Sequence, residues 1–169
     1  MTRTRSVAEA PVRTAPERRP EALRTLIELS LGEARFGADF AGVLETSRVP
    51  DLTRVPNTPS WVAGVAEVRG EVLAVLDAAA FLGLPVREGE PGRLLVVRGP
   101  DGAPVGLRVT KLHALTSVPA SAVRGLATPV SGAVGRYVGG VVPRERLPLT
   151  LLDLDLLLAA MHAPLADGR

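Results

Sequence analysis

Apolar positions in this chain fall in short runs punctuated by glycine and proline, and most runs are too short for helices. Thr25 to Leu31 (T-L-I-E-L-S-L) alternates imperfectly and reads as a strand, with Gly32-Glu33 as a turn. Arg35 to Glu45 places Phe36, Phe40, Val43 and Leu44 at spacings a helix would also accept. Gly37 and Gly42 each weaken a helix by about 1 kcal/mol, so two strand pieces joined by a glycine bend are expected. Thr46 to Val55 is polar and reads as a loop or an edge strand. Leu94 to Val97 is a short buried strand. Gly99-Pro100-Asp101-Gly102 is a turn, and Val105, Leu107 and Val109 alternate along the return strand. Leu112 to Val118 continues extended, and Pro119 to Val123 fits one helical turn. Tyr137 to Val142 and Leu147 to Leu152 are further strands.

The richest stretch runs from Val55 to Asp77. Thr58 is a candidate N-cap with Pro59 at the first helical position, predicting one short turn that Gly64 ends. From Val65 the pattern becomes strand-like on both sides of the charged turn Glu67-Val68-Arg69-Gly70-Glu71, which suggests a hairpin. Asp77 then caps a helix over Ala78 to Leu82, closed by Gly83 and Pro85. Asp153 caps a last helix from Leu154 to about His162. The strand followed by an Asp-capped helix thus occurs twice (Val72 to Leu82, Leu149 to Met161), a hint of two similar halves. Many short strands with turns between them place the chain in the all-β class, with short helices at strand ends.

Composition narrows the function. Aliphatic side chains must fill the core, because aromatics make up only 3% of the 169 residues. There is no cysteine, which excludes a disulfide scaffold, thiolate metal sites and a cysteine nucleophile. Residues 1–24 hold six arginines and three glutamates, are interrupted by prolines and have no period; a disordered tail is expected there. The rest of the chain holds 14 basic and 15 acidic residues, so the folded part is close to neutral. That argues against a nucleic-acid surface, as does the scarcity of aromatics. No apolar leader is visible at the start, and Leu147 to Met161 is too short and too acidic to span a membrane.

No chemistry stands out. His113 lies in an extended apolar region and His162 at a helix end, and neither has a nucleophile beside it in sequence. Asp153 and Asp155 are explained by capping. The only lysine, Lys111, follows no phosphate-binding glycine loop. These readings predict an interaction module, not an enzyme, with no cofactor and no metal. Glu45 and Arg69 each sit beside an apolar run, where a charge is rarely left alone, and they are candidates to pair across neighbouring strands.

Val55-Pro56-Asn57-Thr58-Pro59, Gly64-Val65, Val68-Arg69-Gly70 and Val75-Leu76-Asp77 resemble the signature of the CheW-like family, the coupling proteins of bacterial chemosensory arrays. Leu31-Gly32, Phe36-Gly37, Asp39, Val43 and Glu45 fit upstream, and the resemblance covers roughly Thr25 to Met161. Glu67, Ala78 and Thr110 depart from the family's usual Asn, Leu and Asp. The resemblance implies two five-stranded SH3-like β-barrels sharing an aliphatic core, with a C-terminal helix. It implies residues 1–24 as tail, 25–162 as the CheW-like domain of two interleaved subdomains, and 163–169 as a flexible end. It implies a cytoplasmic, non-enzymatic adaptor, recruited to receptor arrays, that joins the cytoplasmic tip of a chemoreceptor to the regulatory domain of a histidine kinase. It implies no nucleic-acid partner and no membrane insertion. By resemblance Phe40, Val43, Glu45 and Arg69 belong to the receptor-binding groove, Arg48, Leu52 and Arg54 to a kinase-facing edge, and Asn57, Pro59, Gly64, Gly70 and Asp77 to the structural motif. The competing readings are a fragment of a larger regulator, and an SH3-like module that binds another protein or nucleic acid outside chemotaxis; a steep salt dependence of binding would mark a nucleic-acid partner.

Overall fold

The computed structural model describes residues 21–87 and 89–166. Ten strands form two five-stranded sheets, each curled as an SH3-like barrel. In the first sheet β1 (Leu23–Leu31), β2 (Ala34–Asp39), β8 (Lys111–Pro119), β9 (Val138–Val142) and β10 (Leu149–Leu152) lie in the order β8-β1-β2-β10-β9. In the second β3 (Val43–Arg48), β4 (Val62–Val68), β5 (Glu71–Asp77), β6 (Arg93–Arg98) and β7 (Pro104–Val109) lie in the order β3-β6-β7-β5-β4.

The two orders are the same when β8, β9, β10, β1 and β2 stand for β3, β4, β5, β6 and β7. Each barrel has one parallel pairing, Leu151 opposite Gly37 and Val75 opposite Gly106. Each is closed by a single bridge, Thr53 to Val65 from the segment after β3 and Arg124 to Val141 from the segment after the equivalent strand β8. Each closing bridge runs beside a glycine. A Cβ on Gly64 would lie 2.4 Å from the Thr53 carbonyl oxygen, and one on Gly140 would lie 2.9 Å from that of Arg124. The two similar halves suggested by the sequence are therefore one barrel topology, read from a different starting strand.

Both faces of the central strands are buried, which explains why β1 alternates so poorly. Ile27, Leu29 and Leu31 face a large cluster shared by both barrels, with Leu95, Val97, Leu107 and Val109 from the second and Leu157, Leu158 and Met161 from helix α2 (Leu154–Ala166). Leu26, Leu149 and Leu151 fill the first barrel's own interior, and Ala66, Val75, Leu94 and Val96 the second's. Burying a leucine of this kind is worth about 1.5–3 kcal/mol, so the shared centre fixes how the barrels sit on each other. Trp61, Phe81 and Tyr137 line up at this seam, with ring centroids 5.3 and 5.7 Å apart.

Several expectations are corrected. Residues 58–64 form no helix. Thr58 instead donates its hydroxyl to the Val55 carbonyl at 2.8 Å, and Val62 donates to the Pro59 carbonyl at 2.9 Å, a turn that launches β4. Gly64 is inside that strand, with φ of 143°, because the closing segment needs the space. Gly37 is not a bend. It lies in the middle of β2, where a Cβ would meet the Leu149 and Leu151 side chains at 2.8 Å. The bend is a 3-10 turn, Phe40–Gly42, whose Ala41 amide is held by Asp39 Oδ1 at 3.0 Å.

At the ends, Leu23 and Arg24 of the expected tail belong to β1, since Leu23 pairs with Pro119, and the Ala22 carbonyl accepts from the Ala120 amide at 2.8 Å; residues 1–20 lie outside the described residues. Helix α2 continues through Pro164 to Ala166, past its expected end, with Leu165 packed on the shared core; residues 167–169 lie outside the description. The hairpin at Glu67–Glu71 is present. Arg69 and Gly70 take φ of 52° and 85°, the two-residue turn that matches strand twist. Asp77 caps α1 (Ala78–Phe81) through Ala80 N–H at 2.9 Å.

Candidate functional site

Edge strand β3 and the segment behind it carry most of the residues singled out above. Phe40 and Val43 are half-buried against the shared core. Glu45 then turns toward the β4–β5 hairpin, and its Oε2 lies 2.7 Å from Nε of Arg69. β3 and β4 are the two outer strands of their sheet. The ion pair therefore joins the two edges of one barrel. Arg69 is 78% exposed and Glu45 21%, so the pair is partly solvated and its weight in stability is small.

Further along, Arg48 and Arg54 are exposed, while Leu52 packs on the second barrel's interior. Leu52 and Arg54 line a depression of about 600 Å³ together with Pro59 and Asp77. Residues assigned separately to a kinase-facing edge and to the structural motif thus share one surface. Asn57 is in the turn before it, with φ of 58°. Arg108 donates to Asp77 Oδ2 at 3.3 Å and to the Glu90 carbonyl at 3.0 Å, which fixes the floor.

A second cavity, of about 520 Å³, opens between the barrels. Arg24, Asp39, Ala41, Gly42, Val97 and Asp153 are part of its lining. Phe40, Val43, Glu45 and Arg69 are not: Phe40 and Val43 adjoin it in sequence, Glu45 lies further along β3 and Arg69 is in the β4–β5 hairpin. Arg24 holds Asp39 at 2.8 Å across the strand pair. Burial pushes the Asp39 carboxyl up, but the Ala41 amide and Arg24 outweigh it and leave it below its ordinary value.

The sequence reading missed a polar cluster inside the first barrel. Glu28, 6% exposed, accepts from Arg144 at 2.6 Å and from Thr116 at 2.8 Å. The Arg144 hydrogen bond holds its carboxyl below the usual range, against the effect of burial. The available signal was a glutamate flanked by Ile27 and Leu29 within β1. Nearby, Arg35 donates to His113 Nδ1 at 3.1 Å. Arginine only donates, so Nδ1 accepts and the Nε2–H donates to Ser30 Oγ at 2.7 Å. Thr110, at the family's Asp position, is buried and accepts from the Gly32 amide at 2.7 Å. Among the described residues, no cluster of three or more His, Asp or Glu side chains is placed to hold a metal.

Two permuted barrels around one aliphatic centre, with charged edges and shallow depressions on their outer surfaces, define a double-barrel protein. Residues 25–161 match the CheW-like domain, and the chain belongs to that family. It is 32% identical over 123 residues to protein PilI of Pseudomonas aeruginosa, covering 71% of this chain and 67% of that one. It is 36% identical over 131 residues to protein FrzA of Myxococcus xanthus, covering 76% and 78%. The crystal structure of the scaffolding protein TtCheW from Thermoanaerobacter tengcongensis superposes with a TM-score of 0.71 at 23% identity, over 80% of this chain and 92% of that one. Membership places the chain among the chemotaxis adaptors that couple receptors to a kinase.

Proposed function

We propose that this chain performs no reaction itself and holds two partners at opposite ends of one stretch, residues 40–54. The helical tip of a chemoreceptor lies along Phe40, Val43 and the Glu45–Arg69 pair. The regulatory domain of a histidine kinase packs on Arg48, Leu52 and Arg54. A helix binds by laying an apolar stripe on an apolar surface, and a sheet edge offers one without aromatics. The adaptor works in the cytoplasm and reaches the membrane only through the receptor. No helix among the described residues is long and apolar enough to cross one.

The observation that carries this reading is the continuity of the stretch. It leaves the seam between the barrels as a 3-10 turn, runs as edge strand β3, and ends at the Thr53–Val65 bridge that closes the second barrel. A displacement at the seam is thereby tied to the kinase-facing edge through one paired strand. Titration of full-length protein with a receptor-tip hairpin and with a kinase regulatory domain tests it. Arg69→Glu is expected to lose receptor binding and keep kinase binding, and Arg54→Glu the reverse. Equal loss of both partners in both variants, or loss of neither, would overturn it.

A further inference from the structure

The last rung of the β3–β6 ladder sets two arginines directly opposite each other, Arg48 on the edge strand and Arg93 on the strand inside it. Residues that face each other in this way share one side of the sheet, and like charges so placed repel. Among the described residues, no ion pair uses either guanidinium. Three acids lie three residues away in sequence, and none serves the pair. Glu45 is taken by Arg69 at 2.7 Å and Glu90 by Lys111 at 3.2 Å, while Asp51 is exposed and makes no ion pair among the described residues.

The rest of the rung shows how the two charges are presented. Arg93 also faces Val109 of β7, which is buried in the shared core. The row therefore runs from a buried valine through half-buried Arg93 to exposed Arg48. Arginine lays its stem along apolar surface and keeps its guanidinium in water, so the row ends in two cationic heads at the border of the sheet. One charge on an edge strand is enough to discourage stray strand pairing. A second, on the strand inside it, has no such duty and adds repulsion.

We propose that Arg48 and Arg93 form a two-pronged clamp for a carboxylate, an aspartate or glutamate side chain of a protein that packs on the end of β3. Guanidinium groups bind carboxylates through paired N–H donors, and one acid held between two of them relieves the repulsion of the unbound rung. The folded part of the chain is close to neutral, which suits a single acidic side chain better than a phosphate backbone. That the acid belongs to the histidine kinase regulatory domain rests on the coupling role proposed above; the clamp itself does not.

The full-length protein tests this with and without that partner. Alone, Arg93→Glu sets opposite charges on the rung, and its urea midpoint is expected to exceed that of Arg93→Gln, which has the same shape and no charge. A peptide of four glutamates should shift the side-chain Nε–H signals of Arg48 and Arg93 in the parent, and leave Arg48 unmoved in Arg93→Glu. With the kinase regulatory domain, Arg48→Glu and Arg93→Glu are each expected to weaken binding by about tenfold or more, the worth of a hydrogen bond to a charged group. Arg93→Glu no more stable than Arg93→Gln, peptide shifts centred on other arginines, or kinase binding that Arg93→Glu leaves intact would each overturn the clamp. So would a DNA duplex that binds at Arg48 and Arg93 more tightly than the peptide. A parent protein that ignores the kinase domain, yet shows the peptide shifts at both arginines, would remove the coupling role and support the clamp.

Discussion

Asp77 and Asp153 hold the same place in the two barrels. Asp77 ends and Asp153 directly follows the strand that makes the parallel pairing, and each caps the helix that begins at the next residue. Each donates its backbone N–H to the aromatic residue before the neighbouring strand, Asp77 to the Trp61 carbonyl at 2.7 Å and Asp153 to that of Tyr137 at 2.8 Å.

Their removal is expected to differ in a readable way. Asp153→Ala should cost about 1 kcal/mol, the usual loss of a helix cap. Asp77→Ala should cost more, because Arg108 also loses its carboxylate partner. Urea unfolding followed by fluorescence of Trp61, the single tryptophan, measures both.

Gly64→Ala is expected to destabilise by about 1–3 kcal/mol, since the added methyl overlaps the Thr53 carbonyl in a backbone already at positive φ. Hydrogen exchange at Thr53 and Val65 should accelerate selectively. Gly70→Ala meets nothing within 4 Å and changes only the turn's backbone preference, so its cost should stay near 1 kcal/mol or below.

Stability should fall with pH in two stages. Burial, and then Arg35, push the His113 imidazole below 6.5, so folding favours its neutral form. That contribution is complete above 6.5 and is lost as pH falls below it through the folded value. The Arg144 hydrogen bond holds Glu28 below 4.5, so its contribution is complete above 4.5 and is lost at lower pH in the same way. His113→Gln should flatten only the upper stage of a pH series of urea midpoints. Arg144→Ala should destabilise at neutral pH by roughly 3 kcal/mol, because it strands a buried carboxylate.

Reversing Glu45 or Arg69 separates recognition from folding. Each single reversal is expected to shift stability by less than about 1 kcal/mol, as for other solvated ion pairs. Glu45→Arg combined with Arg69→Glu should restore the pair and its stability. Recovery of receptor-tip binding in the double variant would mean that the pair acts by holding the barrel edges. Continued loss would mean that the tip reads the individual charges.

The strand order of local hairpins was legible because turns carry their own chemistry, as at Arg69-Gly70 and Gly99 to Gly102. The Glu45–Arg69 pair was legible as a candidate only, and its expected place across neighbouring strands is corrected: it joins the two outer strands of the sheet. The short helix expected at Thr58 is absent, because Gly64 answers to a contact with Thr53, eleven residues away, that no local pattern encodes. The cavity was illegible for the same reason: Arg24 on β1, Val97 on β6 of the other barrel and Asp153 after β10 meet only once both barrels are assembled. Alternation also fails in a strand buried on both faces, which hid the pairing of Glu28 with Arg144.

The permuted order has a consequence for synthesis. The second barrel is one uninterrupted length of chain, β3 to β7, and can close as soon as it leaves the ribosome. The β1–β2 hairpin, though made earlier, lacks its remaining three strands until β10 emerges. A nascent chain halted after Val109 would thus present one finished barrel beside a hairpin whose apolar sides are uncovered, the species a chaperone would be expected to hold.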